Sequence, residues 1–103
     1  MFEAGESVEF DFPIRKTLIF DNKIIVLLDV FQDSGYNQNI FAVNFKGTLL
    51  WQVEKSLDVD IKGFCPFTSV EINQLELICL NKCGFRFTVN PATGKVTSQV
   101  FNN

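Results

Sequence analysis

Three stretches of the first half of this sequence recur, in order, in the second. Asn22 to Leu27 (NKIIVL) lines up with Asn73 to Ile78 (NQLELI), Phe41-Ala42-Val43-Asn44 with Phe87-Thr88-Val89-Asn90, and Gly47 through Gln52-Val53 with Gly94 through Gln99-Val100, at offsets of 51, 46 and 47 residues. Loops absorb such differences: the first copy has the longer loop Gln32 to Asn39, and the second the longer turn Pro91 to Gly94. A chain of 103 residues has enough interior for one modest core. The expectation is therefore a single domain over 1–103, with internal repeats at about 14–55 and 64–101.

Within each copy the apolar residues alternate. Phe41, Val43 and Phe45 do so along one segment, and Phe85, Phe87 and Val89 alternate with Arg86, Thr88 and Asn90 along another. Near the N-terminus Val8, Phe10 and Phe12 alternate with Glu9 and Asp11, which asks for one buried face there too. Turn residues punctuate these runs at Asp21-Asn22-Lys23, Lys46-Gly47, Lys82-Cys83-Gly84 and Pro91-Ala92-Thr93-Gly94. The pattern predicts strands at 16–20, 24–31, 39–45, 48–53, 68–72, 75–80, 85–90 and 95–101. Glu54 to Ile61 has a weak helical spacing, but Val59 and the flanking glycine favour irregular chain. The fold class is all-β: two four-stranded antiparallel meanders, a blade-like duplication arranged as a half-propeller or as stacked sheets.

The chain contains no histidine, which removes the commonest general base and the triads and metal sites that use an imidazole. Non-enzymatic function is the expectation, with no cofactor and no metal. A net charge of -3 and a pI near 4.8 disfavour direct binding of nucleic acid, which needs clustered Lys and Arg. The longest uncharged apolar run, Ile24 to Leu28, is far too short to span a membrane. Glu3, Glu6, Glu9 and Asp11 make the N-terminus the opposite of a secretory leader, so a cytoplasmic location is the default. In that compartment Cys65, Cys79 and Cys83 read as free thiols, and nothing completes Cys79 and Cys83 as a metal site.

Asn39-Ile40-Phe41-Ala42-Val43-Asn44 followed by Lys46-Gly47-Thr48-Leu49-Leu50-Trp51-Gln52 resembles the third and fourth strands of a blade of the quinoprotein (PQQ-like) propeller repeats, which end in a glycine turn and a Leu-Trp strand. The resemblance implies that Trp51 packs between neighbouring sheets. The second copy has Ser98 in that place and so departs from the pattern. It does not imply a quinone, because that cofactor sits in a closed ring and two blades cannot close one. Open blades leave unpaired strand edges and an uncovered face, which invite association with a partner or with a second copy.

In a meander, alternate connections share an end of the sheet. The loop Gln32 to Gln38 and the linker Glu54 to Gly63 then lie at one end, with Asp33, Glu54, Asp58 and Asp60 outnumbering Lys55 and Lys62. Tyr36, the only tyrosine, reads as an exposed aromatic anchor in that loop. The candidate partner-binding residues are Asp33, Tyr36, Glu54, Asp58 and Asp60. In size, acidity and half-propeller design the chain resembles the immunity proteins of bacterial contact-dependent growth inhibition systems. That resemblance implies a 1:1 complex with a cognate protein toxin, often a nuclease, whose basic active site an acidic edge would occupy. The alternative is a propeller-like interaction module or homodimer with no toxin partner.

Overall fold

A computed structural model describes residues 9–31, 36–54 and 64–101. Eight strands follow one another: β1 (Ile14–Phe20), β2 (Lys23–Leu28), β3 (Ile40–Val43), β4 (Leu49–Gln52), β5 (Phe67–Asn73), β6 (Glu76–Asn81), β7 (Phe85–Val89) and β8 (Val96–Phe101). They form two four-stranded antiparallel sheets, ordered β1-β2-β3-β4 (sheet A) and β5-β6-β7-β8 (sheet B). The described residues contain no helix. The weak helical spacing at 54–61 falls almost wholly outside them, as do Asp33, Asp58 and Asp60.

The turns explain the strand ends. Asn44 Oδ1 accepts hydrogen bonds from Lys46 N and Thr48 N, and Asn81 Oδ1 accepts from Cys83 N and Phe85 N. Such asparagine-capped turns reverse the chain with their polar backbone groups satisfied. The loops after β1 and β5 have two residues each, since Phe20 pairs with Lys23 and Asn73 with Glu76. All four loop residues are left-handed: Asp21 (φ 54°), Asn22 (59°), Gln74 (53°) and Leu75 (67°). Asp and Asn tolerate that conformation and Leu does not, so the second copy carries the more strained hairpin.

These hairpins also correct one offset. Asp21-Asn22 corresponds to Gln74-Leu75, and Ile14 through Leu28 corresponds to Phe67 through Asn81, a shift of 53 rather than 51. The sequence alignment had matched Asn22 to Asn73, a strand residue. A two-residue slip preserves strand alternation, so apolar pattern alone cannot detect it. The shifts of 46 in β3 and 47 in β4 agree with the pairings Phe41 to Gln52 and Phe87 to Gln99. Both copies also carry irregularities at equivalent places, between Ile14 and Lys16 and between Phe67 and Ser69, then at Ala42/Val43 and Thr88/Val89.

With the correspondence fixed, the packing is head to tail. One face of sheet A (Leu18, Ile25, Leu27, Ile40, Ala42, Trp51) and Val53 just beyond β4 pack on Val70, Leu77, Cys79, Phe87 and Val89 of sheet B. The residues of sheet A equivalent to that face of sheet B are Thr17, Ile24, Val26, Phe41 and Val43, on its opposite side. The two sheets are therefore stacked head to tail, each copy presenting a different face to the other. Polar ties fasten the stack. The buried Asn39 side chain takes a hydrogen bond from Phe67 N (2.8 Å) and donates to Phe67 O (2.9 Å), as a neighbouring strand would. Lys16 Nζ donates to Val70 O and Trp51 Nε1 to Pro91 O. Gly94, at φ 79°, lies flat under Trp51, where an added Cβ would stand 2.6 Å from the indole.

The cysteines differ from expectation. Cys65 and Cys83 form a disulfide, with Cα atoms 5.4 Å apart, and only Cys79 is free. The bond joins the chain entering β5 to the β6–β7 turn, which backbone pairing of Lys82 N with Pro66 O already brings side by side. Sequence spacing could not reveal this because the contact depends on the β5–β6 register. The expectation of three free thiols therefore holds for Cys79 alone. Among the described residues no helix is long and apolar enough to cross a membrane.

Candidate partner-binding surface

The two sheets differ most on their outer sides. On sheet B the outer side carries Glu71, Ile78, Leu80, Arg86, Thr88, Ser98 and Val100, which is mixed: Glu71, Ser98 and Val100 are exposed, Leu80, Arg86 and Thr88 half-buried and Ile78 buried. On sheet A it carries Ile24, Val26, Leu28, Phe41 and Val43, against which Phe10, Phe12, Val30 and Tyr36 pack. The segment before β1 lies across the sheet without joining it, turning Phe10 and Phe12 down while Glu9 and Asp11 remain exposed. Their alternation in sequence is a buried face of this third layer.

At the end of the layer nearest the long loop, three rings meet beside a further pair. Phe12 stacks on Tyr36 (5.2 Å, 27°) and meets Phe31 edge-on (5.3 Å, 70°), while Phe10 covers Phe41 (4.9 Å). Phe31 is 65% exposed. The cluster is fixed from below: Asp29 N donates to Pro13 O, and Gln52 Nε2 donates to both Tyr36 Oη (2.9 Å) and Gln38 O (2.8 Å). Burial pushes the Tyr36 hydroxyl above its ordinary pKa; the Gln52 hydrogen bond opposes that shift and the nearby Asp11 charge adds to it.

The sorting of loops by meander geometry agrees with these contacts. Gln38 Nε2 donates to Val53 O, Cys65 N donates to Asn37 Oδ1, and the Cys65–Cys83 bond closes the same end. The sequence candidates have different surroundings from those expected. Tyr36 is half-buried in the ring stack rather than projecting from an exposed loop. Glu54 is turned to the other sheet: its N–H donates to Gly94 O and its Oε1 accepts from Val96 N (3.0 Å), so it fastens β4 to β8. The residues that sequence reasoning missed are Phe12 and Phe31. The alternation through Phe12 marked a buried face without saying which sheet it covers, and Phe31 read as a strand residue although β2 ends at Leu28.

Electrostatically, the described part of this surface holds Glu9, Asp11 and Asp29 against Arg15, whose guanidinium is 3.7 Å from Asp29 in an exposed, weak pair. Lys82 is drawn to sheet B, over the Phe64 ring (5.2 Å). Among the described residues no group of three His, Cys, Asp or Glu could hold a metal ion. Rings rimmed by carboxylates on a fastened support can bind a protein surface.

The model of a family described as a domain of unknown function (DUF7957) matches residues 4–101, which takes in both sheets and the linker between them. Among curated proteins none matches the chain.

Proposed function

We propose that this chain, which belongs to the DUF7957 family, is a non-catalytic protein-binding module acting as an immunity protein: it binds a cognate toxin domain one to one and blocks that domain's active site. The observation that carries the reading is the ring cluster of Phe12, Phe31 and Tyr36, held on a supported sheet yet open to solvent at Phe31. Preordered aromatic area at a surface favours protein association, because little side-chain freedom is lost on binding. Sequence-wide features support the rest. The absence of histidine suits a binder, and a net charge of -3 with a carboxylate rim suits a basic partner such as a nuclease. Asp33, Asp58 and Asp60 belong to the same proposal as acidic partner contacts. No cofactor is required.

The site of action in this reading is the cytoplasm. In that reducing setting Cys65 and Cys83 would be a dithiol, with the Lys82–Pro66 pairing and the Asn81-capped turn holding the same end. The test is to co-express the chain with the product of the adjacent reading frame. The expected result is protection from toxicity and a 1:1 complex whose association slows as salt rises. No adjacent toxin, together with no salt-dependent binding, overturns the reading. Turnover of a small-molecule substrate by the chain alone would also count against it.

A further inference from the structure

We propose that the corner between Phe12 and Phe31, with Asp11 and Asp29 at its rim, is a receptor for an arginine side chain on the partner protein. This deepens the immunity reading and rests on it for the nature of the partner. The geometry supplies two walls. Phe31 stands at 70° to Phe12, so the two rings bound a corner instead of stacking closed, and Phe31 leaves most of its surface to solvent. Tyr36 backs Phe12 from its stacked side and is held there by Gln52, so the inner wall is fixed before anything binds.

A ring face attracts a cation, and a guanidinium adds planar stacking to that attraction. The rim selects the same group. Asp11 is exposed beside Phe12, and Asp29 follows Leu28 on the strand that leads to Phe31. Arg15 already shows the chemistry from within the chain, since its guanidinium approaches Asp29 at 3.7 Å with both side chains more than half exposed. A partner arginine that displaced it would gain the ring faces as well. Lysine fits less well, because its compact ammonium cannot stack on a ring while bonding a carboxylate through two parallel donors. Sheet B has a comparable angled ring pair, Phe85 and Phe101 (5.1 Å, 60°), but no carboxylate adjoins either ring in sequence, its outer carboxylates being Glu71 and Glu76, and Lys82 already lies over Phe64.

The test uses the full chain, isotope-labelled, titrated with capped hexaarginine and, in parallel, hexalysine and hexaleucine made soluble by a neutral polar tag. Saturable shifts at the amides of Asp11, Phe12, Phe31 and Tyr36 are expected with hexaarginine, with about three-fold weaker binding of hexalysine. Phe31→Ala should weaken hexaarginine binding about three-fold or more, and Asp11→Asn by a similar factor, with both spectra still those of the folded chain. Equal affinity for the two basic peptides with no effect of Phe31→Ala overturns the proposal, as do shifts confined to Glu71 and Glu76. Preferential binding of hexaleucine, or self-association that perturbs the same amides, would assign the corner to an apolar partner or a second copy and would overturn it too. The two readings fail separately. A toxin complex indifferent to Phe31→Ala leaves the immunity function and removes the corner, whereas arginine binding without any neighbouring toxin does the reverse.

Discussion

Sheets A and B share strand order, two-residue first hairpins, irregularities at matching places and asparagine-capped turns, yet equivalent positions do opposite work. Ile40, Ala42, Trp51 and Val53 are buried between the sheets, whereas Arg86, Thr88, Ser98 and Val100 in the second copy face outward. On the other side, Val26 and Phe41 lie beneath the N-terminal rings, while Cys79 and Phe87 lie in the intersheet core. The difference teaches that this repeat is defined by backbone and register. Composition is then free to decide which faces of a short stack stay apolar. A head-to-tail contact has no internal reason to stop, so a finite stack needs its two end faces altered. Here one is covered by Phe10, Phe12 and Tyr36 and the other carries polar residues.

The largest test of this asymmetry is at Trp51. Trp51→Ala removes the plate over Gly94 and the hydrogen bond to Pro91 O, and should lower unfolding stability by about 4 kcal/mol. Ser98→Ala at the equivalent place should change it by no more than about 0.5 kcal/mol. Denaturant titration decides the matter, and comparable losses at both sites would mean that the repeats are used alike. Next comes the phenylalanine pair. Phe87→Ala, in the intersheet core, should cost about 4 kcal/mol, and Phe41→Ala, with only the N-terminal layer above it, nearer to 2 kcal/mol. Equal sensitivity at the two positions would place the N-terminal rings as firmly as the second sheet.

The third and fourth predictions concern the cysteines that only the second copy carries. Cys83→Ser opens a covalent loop spanning 18 residues and should cost about 3 kcal/mol in oxidising buffer and nothing measurable in dithiothreitol. Loss of stability in both buffers would assign Cys83 a packing role instead. Cys79 is buried where the first copy has Val26, and burial pushes its thiol up to about 12 from an ordinary 9.0. Below pH 9 the thiol is neutral in both states and costs nothing. Above it the unfolded chain ionises first, so stability declines as pH rises toward 12, by about 1.4 kcal/mol for each pH unit. The raised Tyr36 hydroxyl acts in the same direction at higher pH. Cys79→Val should flatten the slope between pH 9 and 10, and an unchanged slope would refer it to other groups.

Much of this fold is legible in the sequence because strands declare themselves by alternation and asparagine or glycine turns by residue type. All eight strands fall within a few residues of their predicted places, and Ser98 stands opposite Trp51 as the alignment had it. What sequence could not give is the pairing of faces. In β2 and β3 nearly every residue is apolar, so alternation has no contrast there, and the same letters serve an intersheet face or a face under a third layer. For the same reason the ring cluster was invisible: Phe12, Phe31 and Tyr36 come from three separate segments and meet only after sheet A forms. Glu54 looked like a surface charge because its acceptor role depends on Val96 in the other copy.

The smallest expected change in stability carries the most information about why the stack ends at two. If polar residues on the outer side of sheet B stop further stacking, restoring the first copy's residues there should reopen it. Arg86→Ile, Thr88→Ala and Ser98→Trp together reproduce Ile40, Ala42 and Trp51 on the outer face of sheet B. All three sit on the outer side, Ser98 exposed and Arg86 and Thr88 half-buried, so the folded monomer should be altered by only about 0.5 kcal/mol. The variant should nevertheless associate, since a tryptophan plate beside the exposed Val100, on the face that also carries Leu80, enlarges the apolar surface there. Light scattering should therefore find the parent chain at one mass across the micromolar range and the triple variant rising with concentration. Removing Phe10 and Phe12 as well should strengthen that association, because the variant face then meets the uncovered face of sheet A in the contact already used within the monomer. A triple variant that stays at the parent's mass would show that strand edges, not face chemistry, limit the stack.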